Sequence, residues 1–228
     1  MKNRCAVILL VVVLLLMLRS AVVMAASCDP YAVVAKTFTQ ENIEVAYPQI
    51  TNLPDDAIQQ RINELLRDRP FQCWETDCRE ITGLNMRTQY VIKWRSANLL
   101  TVQYRSYRYI KGAAHPVHMF DTININVNSG SEILLQDLVV IDEEFITLLK
   151  AGEFKAVSPK VKESVKFSDQ AIIRELIERG AFYLTPVSLG VKVSVPHVAG
   201  DFVIFEVKYQ DIAGKIKSEN PVWREFLL

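Results

Sequence analysis

Apolar residues recur along this chain with two spacings, and the change from one to the other marks its elements. From Asp55 to Arg69, Ile58, Ile62, Leu65 and Leu66 fall on one stripe. Acidic residues stand at the start and Pro70 closes the segment, which predicts a helix. Asp169 to Arg179 repeats the pattern with Ile172, Ile173, Leu176 and Ile177, and Gly180 stops it. A further helix is expected around Asp142 to Lys150. Elsewhere the spacing is two. Tyr90, Ile92 and Trp94 alternate with Val91, Lys93 and Arg95, and Leu100, Val102 and Tyr104 alternate with Gln103 and Arg105. Ile123, Ile125 and Val127 alternate with Thr122, Asn124, Asn126 and Asn128, which predicts a strand with one buried and one wet face.

Tyr31 to Phe38, Asn42 to Tyr47, Glu132 to Leu135, Phe182 to Thr185, Val191 to Val195 and Phe202 to Val207 also read as strands. Turns are expected at Ser96 to Asn98, Asn128 to Gly130, Ser188 to Gly190 and Ala199-Gly200. The segment from Phe71 to Asn85 has no period and reads as a loop. Strands and helices are not regularly interleaved, so the expected class is α+β, a largely antiparallel sheet with packed helices.

The longest apolar run lies at the start of the chain. Lys2 and Arg4 precede Cys5 to Leu18, and Arg19-Ser20 and the small residues up to Ser27 follow. A basic, an apolar and a small-residue region in that order make a secretory signal, with cleavage after Ala25 placing Val23 and Ala25 at −3 and −1. A retained anchor is the other reading, but the run is shorter than the roughly 20 residues that span a bilayer. Either way the expected location is extracytoplasmic: secreted, periplasmic or envelope-attached. Lys2, Arg4 and Arg19 are the only charges ahead of Asp29, so the rest carries 23 basic and 26 acidic residues. That net of −3 leaves no basic stripe for nucleic acid.

Cys5 leaves with the signal, so Cys28, Cys73 and Cys78 remain. In an oxidising compartment one disulfide can form and one thiol is left over. Cys73 and Cys78 are close enough for a local bridge, and Cys28 could instead join either of them. A third account makes Cys28 a lipidated first residue, because Ala25-Ala-Ser-Cys28 partly follows a lipobox, although Ala25 stands where Leu is usual.

The chain has three histidines, His115, His118 and His197. In His115-Pro-Val-His118, Pro116 favours extended backbone, and residues three apart on a strand point to opposite faces. That pair cannot share an ion, so no metal site and no cofactor are expected. Neither a Gly-x-Ser-x-Gly elbow nor Ser-x-x-Lys is present. Asp137, Asp142, Glu143 and Glu144 gather where a helix starts, and there they favour its dipole. No catalytic residues are assigned and a non-enzyme is expected. The most unusual local feature is aromatic: Tyr104, Tyr107 and Tyr109 interleave with Arg105 and Arg108 just ahead of the Gly112-Ala-Ala-His-Pro116 loop. Tyr and Arg are the residues of interaction hot spots. Tyr107, Tyr109, Arg105, Arg108, His115 and Pro116 are therefore the candidate binding residues.

The same stretch carries a resemblance. Asn98 to Tyr107, Gly112-Ala-Ala-His-Pro116, Thr122 to Gly130 and Leu134-Leu-Gln-Asp-Leu138 resemble a bacterial extracytoplasmic family of unknown function. That family is found in the outer part of a lysozyme-sensing anti-sigma factor and beside the catalytic domain of a peptidoglycan deacetylase. Phe182-Tyr-Leu-Thr and Pro196-His-Val-Ala-Gly200 fit its C-terminal half, and Tyr47-Pro-Gln-Ile50 with Ile62-Asn63 resembles its companion N-terminal module. The resemblance implies a signal peptide over residues 1–25, a deacetylase-accessory-like module over 26–86 and an anti-sigma outer-domain-like module over 87–228, the two packed as one unit. Two departures restrict it. Only Met1 to Arg4 precede the apolar run, too few for a sigma-binding segment, and the metal-binding catalytic domain of the deacetylase has no counterpart here. What the resemblance leaves is an envelope module that binds a protein, with a lysozyme-like wall hydrolase as candidate, or else a peptidoglycan- or glycan-binding accessory protein.

Overall fold

The computed structural model describes residues 30–72, 77–156 and 168–226; the expected signal peptide, Cys28 and Cys73 lie outside them. Two sheets form, with strand orders β1-β2-β3-β4-β5-β6 and β7-β10-β9-β8. The first comprises β1 (Ala32–Gln40), β2 (Ile43–Thr51), β3 (Leu84–Arg95), β4 (Leu99–Ile110), β5 (Val117–Asn126) and the two-residue β6 (Ser131–Glu132). The second comprises β7 (Glu153–Ala156), β8 (Phe182–Leu184), β9 (Ser188–Ser194) and β10 (Phe202–Lys208). All pairs are antiparallel except β2 with β3. The class is α+β, as the spacing predicts.

The parallel pair follows from a crossover helix, α1 (Asp56–Asp68), between β2 and β3. Asp55 caps α1 by accepting a hydrogen bond from the Ile58 amide at 3.0 Å. Ile62 and Leu66 of its apolar stripe are fully buried against Ile50, Leu100, Val102, Tyr104, Ile123 and Ile125. Asn63 fixes its position by bonding both the amide (2.7 Å) and the carbonyl (2.9 Å) of Ile50. This is the first core, on one face of the first sheet.

A second core lies between the second sheet and the helices α3 (Glu143–Ala151) and α4 (Asp169–Arg179). Phe145, Ile146 and Leu149 meet Ile172 and Leu176 there, with Val191, Val193, Val203 and Phe205 from the sheet. Asp142 starts α3 by accepting from the Phe145 amide at 2.8 Å, and its other oxygen takes Lys215 Nζ at 2.8 Å. Its role is thus the helix-start one expected from the sequence. Asp137 does likewise for the short α2 (Leu135–Leu138), accepting from the Leu134 amide at 2.9 Å. That turn stands where the expected Glu132 to Leu135 strand would have continued.

The structure changes two other expectations. Ser188 to Gly190 is not a turn but the start of β9; the chain turns at Thr185 to Val187, held by Thr185 Oγ1 accepting from the Ser188 amide at 3.0 Å. Nor is the polar face of β5 wet. Thr122 and Asn124 are 2% exposed, and Thr101 and Gln103 beside them on β4 are also buried. The reason is the second sheet. The Phe182 amide of β8 donates to Thr122 Oγ1 (2.8 Å), and its carbonyl accepts from Asn124 Nδ2 (2.9 Å). Thr101 Oγ1 donates to Asn124 Oδ1 at 2.8 Å. Polar side chains of β5 thus meet the backbone of β8 as a neighbouring strand would, and the buried side chains of Thr101, Thr122 and Asn124 each find a partner. The 86/87 boundary falls inside β3, which pairs with β2 on one side and β4 on the other.

Candidate functional site

The β4–β5 connection and the β9–β10 connection come together at one end of the molecule, and both belong to segments singled out in the sequence. The first presents His115 and Pro116, the second His197 and Val198. The His115 and His197 rings stack with centroids 3.6 Å apart and an interplanar angle of 6°. Asp201 joins the two loops. One of its oxygens accepts from the His118 amide at 2.7 Å, and the other meets His197 Nδ1 at 2.9 Å. Asp201 holds this position with φ of 72°, a left-handed backbone that Asp adopts more readily than most residues.

Around this staple several apolar side chains are exposed, Tyr107 on one face of β4 and Ile110 and Val117 on the other. Tyr107 is 38% exposed, Val117 37%, Ile110 43% and Val198 94%. Tyr107 stands opposite His118 in the β4–β5 register, and the two rings meet edge to face at 5.9 Å. Arg105, on the same side of β4, is exposed, and Tyr109 is half-buried. Four of the expected residues, Arg105, Tyr107, His115 and Pro116, therefore lie on or beside one accessible end, with Tyr109 at its margin.

Arg108 does not join them. Strand alternation turns it to the side of Tyr104 and Ser106, where its Nη2 donates to the Pro70 carbonyl at 2.8 Å. Burial there holds its guanidinium below the ordinary arginine value, with Asp121 opposing. Tyr104 is wholly interior: its hydroxyl donates to the Leu66 carbonyl at 2.8 Å, and burial pushes the phenol well up.

His197 and Val198 were not selected from the sequence. They lie more than eighty residues beyond His115, and only β10 returning beside β9 brings them to the same place. The signal in the sequence is Pro196-His-Val-Ala-Gly200, which carries the resemblance but says nothing of position.

A groove of about 1060 Å³ runs from this end along β5 toward α4 and the 3-10 turn after α1. Its floor holds an ionic cluster. Arg69 donates from Nε to the Thr122 carbonyl (3.0 Å) and from Nη1 to Gln72 Oε1 (3.1 Å), and it pairs with Glu132. Burial raises the Glu132 carboxyl, and Arg69 opposes that shift. On the far wall Lys192 pairs with Glu175 at 2.9 Å. Among the described residues no group of three or more His, Cys, Asp or Glu side chains is placed to hold a metal ion.

By architecture the chain is an α+β protein of two mainly antiparallel sheets joined through polar side chains. That fold is similar to two solved bacterial proteins described as members of the DUF3298 family, a domain of unknown function. The protein from Bacteroides fragilis superposes with a TM-score of 0.58 at 12% identity, covering 86% of this chain and 97% of its own. The protein from Pseudomonas aeruginosa PAO1 gives 0.50 at 16% identity, over 83% of this chain and 95% of its own. At these identities the likeness is one of fold. The sequence itself matches no family model and no curated protein.

Proposed function

We propose that this protein is a non-enzymatic, extracytoplasmic binding module whose partner is a protein, with a lysozyme-like wall hydrolase as the candidate. The observation that carries the reading is the stapled end. Two connections far apart in sequence are fixed to each other by Asp201, and around them Tyr107, Ile110, Val117 and Val198 face solvent. A valine 94% exposed beside a hydrogen-bonded staple gains by being covered, and its short branched side chain costs little to order. Aromatic and aliphatic anchors on a preorganised loop pair suit a protein contact better than a reaction. The export signal and the resemblance to an envelope family supply the location and the candidate partner.

A local Cys73–Cys78 disulfide belongs to this reading. It is supported by the burial of Cys78 and by the antiparallel bridge between Gln72 and Asp77, the residues that directly precede Cys73 and Cys78. Cys28 is then left for lipidation or for a free thiol, and mass spectrometry of the mature N-terminus distinguishes them.

The groove favours a second reading, a glycan or peptidoglycan strand, because its length and its paired charged side chains suit an elongated polar ligand. Capture of lysozyme by the purified protein, run beside sedimentation with insoluble wall, separates the two. Capture without sedimentation supports the protein partner, sedimentation without capture supports the glycan, and turnover of wall fragments overturns both.

A further inference from the structure

The outer edge of β5 lies open along the groove. In a strand each residue sends its amide and carbonyl to one edge, and the next residue sends its own to the other. The Asn126 carbonyl accepts from the Gly130 amide, the Asn124 carbonyl from the Ile133 amide and the Thr122 carbonyl from Arg69, while the His118 amide donates to Asp201. These residues of β5 therefore face away from β4. Strand pairing on that side stops early, because β6 meets only Ile125 and Asn126. Asp201 closes one end of the remaining edge and Arg69 the other, with the Thr122 amide taken by Asp121 Oδ1 at 2.7 Å. Between them stand three backbone groups with no partner among the described residues: the His118 carbonyl and the amide and carbonyl of Phe120. Phe120 is 3% exposed and lines the groove, so a group that pairs with its backbone there meets little competition from water.

We propose that this stretch of edge takes an extended segment of a partner protein, which lies in the groove and joins β5 as an added strand. The segment's residue opposite Phe120 exchanges both backbone bonds with it, and an amide two residues on donates to the His118 carbonyl, the pairing of antiparallel strands. From His118 to Thr122 the edge runs about 14 Å at roughly 3.4 Å per residue, which sets the length of the contact. Alternate side chains of the segment point to the two walls. Leu134 and Ile177 line the groove with exposed apolar side chains that these would cover. Basic and acidic side chains nearly balance along the groove, so backbone pairing and apolar contact, rather than net charge, decide what binds.

Two features favour a single strand over the edge of a second folded sheet. α4 and the 3-10 turn Arg69–Phe71 both contribute to the walls, so a narrow chain reaches the edge and a folded sheet does not. The edge is also held in place: the Phe120 ring packs against Phe202 at 5.3 Å and Tyr183 at 6.3 Å between ring centres, so pairing costs β5 little order. The groove site uses neither Tyr107 nor Val198, and it stands apart from the surface proposed above for a folded hydrolase.

Random peptides of about nine residues, displayed on phage, are selected against the immobilised mature protein, and enriched peptides are synthesised and titrated into isotope-labelled protein by NMR. Enriched peptides should carry apolar residues at alternate positions, and the Phe120 amide signal should move downfield and exchange more slowly. A scan of single backbone N-methyl groups along the peptide should weaken binding about tenfold, the worth of one enclosed hydrogen bond, at the position that pairs with Phe120. Ile177→Glu should weaken it by a similar factor, whereas Tyr107→Ala with Val198→Ala should leave it unchanged. That last pair separates this site from the stapled end, whose failure to bind a hydrolase would not touch the peptide result. Failure to enrich any peptide overturns the proposal, as does an enriched peptide that leaves the Phe120 amide unmoved or tolerates every N-methyl group. Soluble peptidoglycan fragments that shift the groove signals where no peptide does would assign the groove to a glycan instead. The wild-type titration and the N-methyl scan decide alone if Ile177→Glu fails to fold.

Discussion

The two sheets are linked at a buried seam and at an exposed end, and similar bonds serve different purposes at each. In the seam, Thr122 and Asn124 of β5 bond the amide and carbonyl of Phe182, and both side chains are 2% exposed. At the end, Asp201 bonds the His118 amide and a histidine ring, and its neighbours Val198, Val117 and Tyr107 lie open. A polar group sealed from water loses its partner at full desolvation cost, whereas water repairs a broken bond at the surface. The seam therefore bears on stability, and the end is available for recognition.

The comparison breaks most readily at Asn124. It accepts from Thr101 and donates to Phe182, so Asn124→Ala strands two buried groups. Urea denaturation should show a loss of about 2–4 kcal/mol. Thr122→Val removes only the acceptor for the Phe182 amide while keeping the shape, and should cost about 1–2 kcal/mol. If either variant melts like wild type, the seam does not hold the sheets together.

At the end, the Asp201 side chain is only 9% exposed, and Asp201→Asn, which keeps an acceptor oxygen and tolerates the left-handed backbone, should cost about 1–2 kcal/mol by the same assay. Tyr107→Ala with Val198→Ala should stay within about 0.5 kcal/mol, since both side chains are already open to water. Acid sharpens the contrast, because Thr101, Thr122 and Asn124 carry no titratable group. At α3, the Lys215 ammonium and the Phe145 amide hold the Asp142 carboxyl below its ordinary 3.8. The stability this gives is present above 3.8 and is lost as pH falls toward the lower folded value. Asp142→Asn should lower stability near neutrality, where the ionised carboxyl holds Lys215, and flatten the profile in that acid window.

Much of the fold was legible because its elements obey a local period. Ile58, Ile62, Leu65 and Leu66 give α1, Ile172 and Leu176 give α4, and alternation gives β3, β4 and β5. Alternation says which side chains share a face but not what covers that face. Thr122 and Asn124 therefore read as wet until β8 is laid on them. The turn at Thr185 to Val187 was missed because Gly190 looked like turn chemistry. It serves instead to leave room for the Tyr183 ring, whose nearest atom would lie 2.2 Å from a Cβ built there. The candidate site was half legible. Arg105, Tyr107, His115 and Pro116 were found because they stand together in sequence. His197 and Val198 were not, because long-range pairing brings them in, and Arg108 was included although its strand position turns it inward.

The central claim is that the stapled end is the binding surface, and surface plasmon resonance against an immobilised lysozyme-like hydrolase tests it most directly. The wild-type protein should bind, and the Tyr107→Ala, Val198→Ala double variant should bind at least tenfold more weakly with an unchanged melting profile. No binding by wild type, or equal binding by the double variant, contradicts the account.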